Sequence, residues 1–227
     1  SYCDQCKSKL NWQQLIPIIS QSNFFNKCIH CGIRITIKYT LFEIIVGIIF
    51  LINKNLSNNI FALNYEFDFI LKTIFTSILL LLSLIDINTN KIPKKILYLL
   101  FLLGIVVNYF FTNLLSINLL MKNLIFSLIT FLVLGLFSKI YFILRKKIPF
   151  GSGDSELIAI FVIWIGTKGM IISYVLSFYL ALIYILFVFL KDKKKLERIP
   201  FVPFLSLGAY FYIISYPNTY QTFIGLK

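Results

Sequence analysis

The stretch 69–93 reads FILKTIFTSILLLLSLIDINTNKIP and contains the features that decide the fold. An apolar run ends at Ile85, a carboxyl group follows at Asp86, and polar residues lead to Pro93. A helix that crosses about 30 Å of hydrocarbon needs about 20 apolar residues, so the run predicts a membrane span. A charged side chain in or against such a span is costly, and Asp86 is therefore a candidate functional residue.

The whole chain has the composition of a membrane protein. Its 227 residues are 59% hydrophobic and 14% charged, with a mean hydropathy of +0.85. Soluble domains have about 45–50% apolar and about 25% charged residues. These values exclude a water-soluble globule, a disordered chain and a collagen-like fibre, and four cysteines are too few to staple a secreted scaffold of this size.

Seven apolar runs predict an all-α fold, a polytopic membrane helical bundle of about seven spans. Two of the runs, 39–52 and 157–166, are shorter than a straight span requires. Their helices must extend into flanking polar residues or be sheltered by neighbouring helices. The complete set of runs is 39–52, 69–85, 96–111, 119–144, 157–166, 170–190 and 201–216.

Lysine and arginine alternate between dense and sparse in the polar segments that connect these runs. The segment after Asp86 contains Lys91, Lys94 and Lys95, whereas the next connection, 112–117, has no lysine. Under the positive-inside rule, the first, third, fifth and seventh polar segments lie in the cytoplasm. Topology thus accounts for the formal net charge of +13, and membrane lipid rather than nucleic acid is the expected partner.

Two Cys-x-x-Cys pairs lie in the segment 1–38, the one polar stretch long enough to fold outside the bilayer. Each pair can offer two thiolates to a tetrahedral ion such as Zn²⁺. Two disulfides are the alternative, but a cytosolic location keeps thiols reduced and favours the metal. Four thiolates leave no open coordination position, so a structural zinc site is predicted in a small cytosolic domain over 1–38, followed by a transmembrane domain over 39–227. The four cysteines are Cys3, Cys6, Cys28 and Cys31.

Asp86 and Asp154 are predicted to lie at the same face of the membrane, each at the cytoplasmic end of its helix. Simpler roles are a first-turn helix acid for Asp154, worth about 0.5–2 kcal/mol, and an interfacial acid paired with lysines for Asp86. Neither role explains Gly151 and Gly153, which let the backbone approach a bound chain closely. If the carboxyl groups face each other, they can share a proton and activate water, which is the chemistry of an aspartyl protease.

Taken together, these motifs resemble a family, the type IV prepilin leader peptidases, which are Gly-x-Gly-Asp intramembrane aspartyl proteases. The resemblance covers essentially the whole chain, with its elements in the same order. They are the Cys-x-x-Cys pairs enclosing Leu15 to Ser20, Tyr39-Thr-Leu-Phe-Glu43, Ile85-Asp86 with Ile92-Pro93, Gly151-Ser-Gly153-Asp154 with Leu157-Ile-Ala159 and Gly166, and the run from Ile199-Pro200 to Gly208.

The resemblance implies an endopeptidase of the bacterial inner (cytoplasmic) membrane that removes the short basic leader from prepilin or pseudopilin precursors. It implies Asp86 and Asp154 as the catalytic pair, with Gly151, Gly153 and Pro93 in the loops that border the substrate. Members usually have eight helices, so a further span is expected before Ser1.

A second activity remains open from the resemblance. Bifunctional members methylate the new amino terminus with S-adenosylmethionine, in the cysteine-bearing region. Asn26 replaces a glycine that such members have two residues before the third cysteine. Glu43 could take part in methyl transfer by analogy, whereas the sequence alone equally permits a buried, hydrogen-bonded acid.

A polytopic ion or proton transporter is the alternative from another functional class, because proton relays also need intramembrane acids. That alternative predicts acids near mid-membrane, whereas Asp86 and Asp154 are predicted at helix ends. The sequence leaves the particular substrate and the oligomeric state open.

Overall fold

A computed structural model describes residues 2–3, 5–9, 27–33, 37–56, 65–112, 117–146, 151–192 and 199–215. The chain divides into two compact units, Ser1–Asn55 and Leu56–Lys227. The described residues contain helices and one isolated β-bridge, which confirms the all-α prediction. The helices are α1 (Ile37–Leu56), α2 (Tyr65–Thr89), α3 (Lys94–Thr112), α4 (Ile117–Arg145), α5 (Ser152–Asp192) and α6 (Val202–Ser215).

The first unit contains two short cysteine-bearing turns and nearly all of α1. The bridge between Tyr2 and Lys9 closes the first turn. Helix α1 is 20 residues long, so the short apolar run 39–52 does extend into its flanking residues. The predicted boundary between residues 38 and 39 stays a prediction.

The centre of the second unit is the first arm of α5. Every residue from 157 to 165 is buried, which shelters the second of the two short apolar runs. Its neighbours contribute polar side chains that bond to the backbone: Asn108 Nδ2 donates to the Ile163 carbonyl at 2.8 Å, and Ser127 Oγ to the Ala159 carbonyl at 2.8 Å. Hydrogen bonds of this kind satisfy polar groups that lipid cannot satisfy.

Helix α5 changes direction at Gly166. Its φ of 71° and ψ of 173° belong to a region that only glycine adopts readily. Beyond it, Gly169 lies against Tyr212 near the end of α6, and the rings of Tyr184 and Phe204 are 5.5 Å apart near the start of α6. The second arm therefore runs antiparallel to α6, and α5 covers both apolar runs, 157–166 and 170–190.

Several helices have the length and composition of membrane spans. Three stretches, Phe69–Thr89, Leu120–Arg145 and Ser152–Lys191, are long and apolar enough to cross a bilayer on those criteria, and Val202–Ser215 is a shorter apolar helix. Large apolar side chains are exposed along α4 and the second arm of α5, as lipid-facing surfaces are. The seven predicted runs fall on the six helices, and the number of crossings stays a prediction.

Candidate active site

Asp86 lies buried in the last turn of α2, where the beginning of α6 meets it. Its Oδ2 accepts a hydrogen bond from the backbone N–H of Val202 at 3.1 Å. Val202 is the first residue of α6, and N–H groups at a helix start have no partner within their own helix. They also carry the positive end of the helix dipole, so this position suits a carboxylate.

The chain turns immediately after Asp86. The N–H of Asn90 donates to the Asp86 carbonyl at 2.8 Å, and Asn90 has a φ of 50°. The carbonyl of Pro93 then accepts from the N–H of Ile96 at 3.0 Å at the start of α3. Proline has no N–H and a fixed φ, which suits it to a helix start. Pro93 therefore fixes the direction in which the loop leaves Asp86.

Asp154 lies buried in the first turn of α5 and caps its own helix. Its Oδ2 accepts the N–H of Gly151 at 2.9 Å, and its own N–H donates to the Gly151 carbonyl at 3.1 Å. This is the helix-end role that the sequence left as an alternative to catalysis. The two roles are compatible, because a carboxylate has two oxygens and several lone pairs.

The two aspartates lie at the same end of the helical bundle. The two carboxyl groups lie close enough for an electrostatic interaction between them. The loop after Asp86 also packs on the backbone before Asp154: a Cβ at Gly153 would lie 2.9 Å from Cβ of Ile92, closer than packed carbon atoms come. The absence of a side chain at Gly153 thus allows the two segments to meet.

An ion pair joins the same two segments at their surface. Lys94 Nζ lies 3.8 Å from Glu156 Oε1, and the lysine side chain is 62% exposed. An exposed pair at this distance contributes about 0–1 kcal/mol. The ion pair therefore adds little to the packing of Ile92 on Gly153, which also joins these two segments.

Two contacts at this site were not predicted from the sequence. One is the Val202 N–H bond to Asp86, and the other is a bond between Ser83 Oγ and Ser206 Oγ at 2.7 Å. Ser83 precedes Asp86 by three residues and so shares its helical face, which is a signal the sequence does contain. The partners on α6 lie 116 and 123 positions further along the chain, and no local pattern marks them.

The four cysteines form a compact thiol cluster in the first unit. Their Sγ atoms all lie within 4.8 Å of one another, with 3.6 Å between Cys3 and Cys31 and 3.7 Å between Cys6 and Cys28. A tetrahedral ion with Zn–S distances of about 2.3 Å separates its sulfur ligands by about 3.8 Å. The donor set and the spacing therefore fit a tetrahedral thiolate-bound metal.

The two turns that present these thiols have the same backbone pattern. Cys3 N–H donates to the Ser8 carbonyl at 2.9 Å, and Cys28 N–H donates to the Ile33 carbonyl at 2.8 Å. The fifth residue of each turn has a positive φ, 56° at Lys7 and 70° at Gly32, as expected for the glycine. The sequence therefore builds the same cysteine-bearing turn twice.

Hydrogen bonding within the cluster favours the thiolate form at two cysteines. The backbone N–H groups of Cys31 and His30 lower the pKa of the Cys28 thiol to about 6, and the hydroxyl of Ser8 lowers the pKa of Cys6. Ser8 Oγ lies 2.9 Å from Cys6 Sγ. The thiolate is the metal-binding form of cysteine.

Two further polar residues lie at exposed positions in the first unit. The side chain of His30 is exposed on the second turn. Glu43 is exposed on α1 within the first unit, and its role stays a prediction. Residue 26, which bears on the methylation question, lies outside the described residues.

These observations define a class of protein: a polytopic helical membrane protein with two buried carboxyl groups at one end of its bundle and a separate thiol cluster. The chain belongs to the type IV leader peptidase family, whose model matches residues 73–186, and residues 1–55 match the Bacterial Peptidase A24 N-terminal domain. The predicted resemblance is thereby confirmed. The description of the family names leader peptidases as its enzyme class. The family and the apolar helices also identify a multi-pass inner-membrane protein.

Several curated relatives carry the name prepilin leader peptidase/N-methyltransferase. The relative from Neisseria gonorrhoeae is 28% identical over 75% of this chain, which spans 56% of that protein's length. The relative from Legionella pneumophila is 25% identical over 92% of this chain and 70% of its own length. The relative from Pseudomonas aeruginosa is 25% identical over 100% of this chain and 76% of its own length. No solved structure matches the chain significantly.

Proposed function

We propose that this chain is an intramembrane aspartyl endopeptidase that removes the leader from prepilin-like or pseudopilin precursors. The observation that supports the proposal is that Asp86 and Asp154, two buried carboxyl groups from helices far apart in sequence, lie at the same end of the bundle. Gly151 and Gly153 directly precede Asp154 in the chain, and Pro93 follows Asp86 at the end of the described connection to α3. A family described as leader peptidases supports the same assignment.

The proposed chemistry uses one proton shared by the two carboxyl groups. Two neighbouring carboxyl groups in a poorly hydrated site do not both ionise, because their negative charges would repel each other. One carboxyl group is therefore protonated while the other is a carboxylate. The carboxylate takes a proton from water, and the water oxygen forms a bond to the peptide carbonyl carbon. The protonated partner then gives its proton to the amide nitrogen as the C–N bond breaks. Asp86 and Asp154 act here as a pair, and the two proton affinities belong to the pair rather than to either residue.

The test is cleavage of a prepilin-like peptide by the purified chain. Asp86→Asn and Asp154→Asn each remove a group that can exchange protons, and general acid–base catalysis is worth about 100–10,000-fold, so cleavage should be lost by at least 100-fold. Asn88→Ala is the matched control, since Asn88 is exposed on α2 two residues beyond Asp86. Retention of cleavage by either aspartate variant would reject the proposal.

We also propose that Cys3, Cys6, Cys28 and Cys31 hold one structural Zn²⁺ in a cytosolic domain over 1–38. The sulfur spacing and the all-thiolate donor set support it, and the ion would cross-link two turns separated in sequence. Elemental analysis of the purified chain should find about one zinc per molecule. Cys28→Ser should lose the metal, while Ser8→Ala should keep it because Ser8 supplies no ligand. Metal-free protein prepared under reducing conditions without chelators would overturn the zinc assignment.

Methylation of the new amino terminus is the finer part of the proposed function. The names of the relatives include N-methyltransferase, which supports S-adenosylmethionine as a second cofactor. Mass analysis of the cleavage product after incubation with S-adenosylmethionine tests this. A product heavier by one methyl group supports the second activity, and an unmodified terminus contradicts it.

One observation bears on the transporter alternative. Lys72 is a cation buried within α2, and charges inside spans often line transport paths. It precedes Asp86 by fourteen residues, which is about 21 Å along a helix. The two acids lie in terminal helical turns rather than near Lys72, and the family match favours the peptidase.

A further inference from the structure

A buried hydroxyl bridge joins α2 to α6 one turn away from Asp86. Ser83 Oγ lies 2.7 Å from Ser206 Oγ, and both side chains are 7% exposed. Both hydroxyl oxygens also lie near one backbone carbonyl, that of Leu79, at 2.8 Å from Ser83 and 3.2 Å from Ser206. Ser83 and Ser206 are not needed for the proposed chemistry, so their placement requires a separate explanation.

The bridge and the Asp86 contact form two rungs between the same two helices. Ser83 and Asp86 are three residues apart on α2, and Val202 and Ser206 are four residues apart on α6, so each pair shares a helical face. The rungs are Asp86 with Val202 and Ser83 with Ser206. Together the two contacts fix the position of α6 along α2 and the rotation of α6 about its own axis.

This register determines whether Val202 can reach Asp86. A slip of one residue along a helix moves a backbone group by about 1.5 Å and turns it by about 100°. Either displacement would break a bond that is 3.1 Å long at present. Hydroxyl bonds between membrane helices contribute enough free energy to shift the populations of two such arrangements.

We propose that Ser83 and Ser206 are positioning residues for Asp86, whose hydroxyl bridge keeps the start of α6 on the carboxyl group. The inference rests on the proposed endopeptidase function. It assigns the two serines an effect on the catalytic step, exerted through Val202 and Asp86.

Loss of one hydroxyl should leave the fold intact. In Ser206→Ala the remaining Ser83 hydroxyl still has the Leu79 carbonyl as an acceptor, so no buried donor loses all its partners. Alanine is also close to serine in size, so neither a large cavity nor a clash is created. The variant is therefore suitable for kinetic measurement.

The experiment measures kcat and KM for cleavage of a prepilin-like peptide by the full chain. Ser206→Ala is expected to lower kcat about tenfold at an unchanged KM, because the orientation of Asp86 matters in the transition state. Ser206→Thr keeps the hydroxyl and should restore kcat to within about twofold of the unaltered chain. Ser83→Ala combined with Ser206→Ala should lose no more than either change alone, because the two residues form one bridge.

Ser127→Ala is the matched control. Ser127 is also a buried serine that bonds across helices, to the Ala159 carbonyl at 2.8 Å, but it joins α4 to α5. The kcat of the Ser127→Ala variant should equal that of the unaltered chain. The inference is overturned if Ser206→Ala keeps its kcat, if Ser127→Ala loses as much, or if threonine fails to restore activity. Asp86→Asn, assayed in parallel, separates this outcome from failure of the proposed function, since its retained cleavage would reject both.

Discussion

At the scale of single residues, the site depends on two glycines, which have no side chain, as much as on its two aspartates. Gly153 stands between Asp154 and the loop after Asp86, and the Ile92 side chain occupies the space where a Cβ would be. Gly151 contributes its N–H to the Asp154 carboxylate. The two glycines thus have separate tasks, since one admits a neighbouring loop and the other orients an acid.

Gly153→Ala should therefore impair cleavage strongly. The added methyl group would lie 2.9 Å from Ile92 and push the loop that follows Asp86 away from Asp154. A displacement of about 1 Å in a catalytic group can cost about 100-fold in rate, so a loss of that order in kcat is expected in the peptide assay.

The matched control for this substitution is Gly135→Ala on α4, where no atom lies within 4 Å of the added group. Its cleavage rate should equal that of the unaltered chain. A Gly153→Ala variant with full activity would show that the loops need not touch for catalysis.

The sequence predicted the acids of this site better than it predicted their partners. Asp86 and Asp154 stand out because a carboxyl group next to an apolar run is unusual. The partner of Asp86 is a backbone N–H at Val202, and backbone groups leave no trace in composition. Ser83 was detectable by its spacing, but serine is common in apolar helices and its partner lies 123 positions away.

At the scale of elements, α5 has two arms with different roles, and its sequence shows them only as two neighbouring apolar runs. The first arm supplies Asp154 and the buried centre, and the second returns beside α6. A straight helix of 41 residues would be about 62 Å long, twice the hydrocarbon thickness. The non-helical backbone at Gly166 reverses the direction of the chain and divides this length into two shorter arms.

Gly166→Ala should destabilise the second unit. A side chain at φ 71° and ψ 173° costs about 1–3 kcal/mol, because this backbone region is essentially restricted to glycine. The measurement is thermal unfolding of the purified chain in detergent, with Gly135→Ala as a control for adding a methyl group in a membrane helix. An unfolding temperature equal to that of the control would mean that the turn does not require glycine.

The positions of the helices were predictable because apolar runs of this length have few alternatives in a membrane. The sequence divided this helix into two apolar runs, 157–166 and 170–190, yet the helix resumes directly at Thr167. Thr167 and Lys168 look like loop residues by composition. Helical backbone geometry tolerates both, and Lys168 remains exposed there.

At the scale of the whole molecule, the charge distribution and the site point to one orientation. Lys91, Lys94 and Lys95 lie at the end of the bundle where Asp86 lies, whereas Lys168 is the one cation within five positions of Gly166 in the sequence. Positive residues are retained in the cytoplasm during insertion. The proposed active site would thus face the compartment in which precursor leaders are made.

Labelling of single introduced cysteines tests this orientation. Lys168→Cys, at an exposed position of α5 two residues beyond Gly166, should react with a membrane-impermeant maleimide in intact spheroplasts. Lys91→Cys, in the exposed loop after Asp86, should react only after lysis, because retention of the lysine cluster in the cytoplasm places that end inside. The unsubstituted chain is the control, since its four cysteines all lie in the amino-terminal segment predicted to be cytosolic, and they should stay unlabelled until lysis. The reverse pattern would place Asp86 and Asp154 on the outer face, where leaders of newly made precursors could not reach them.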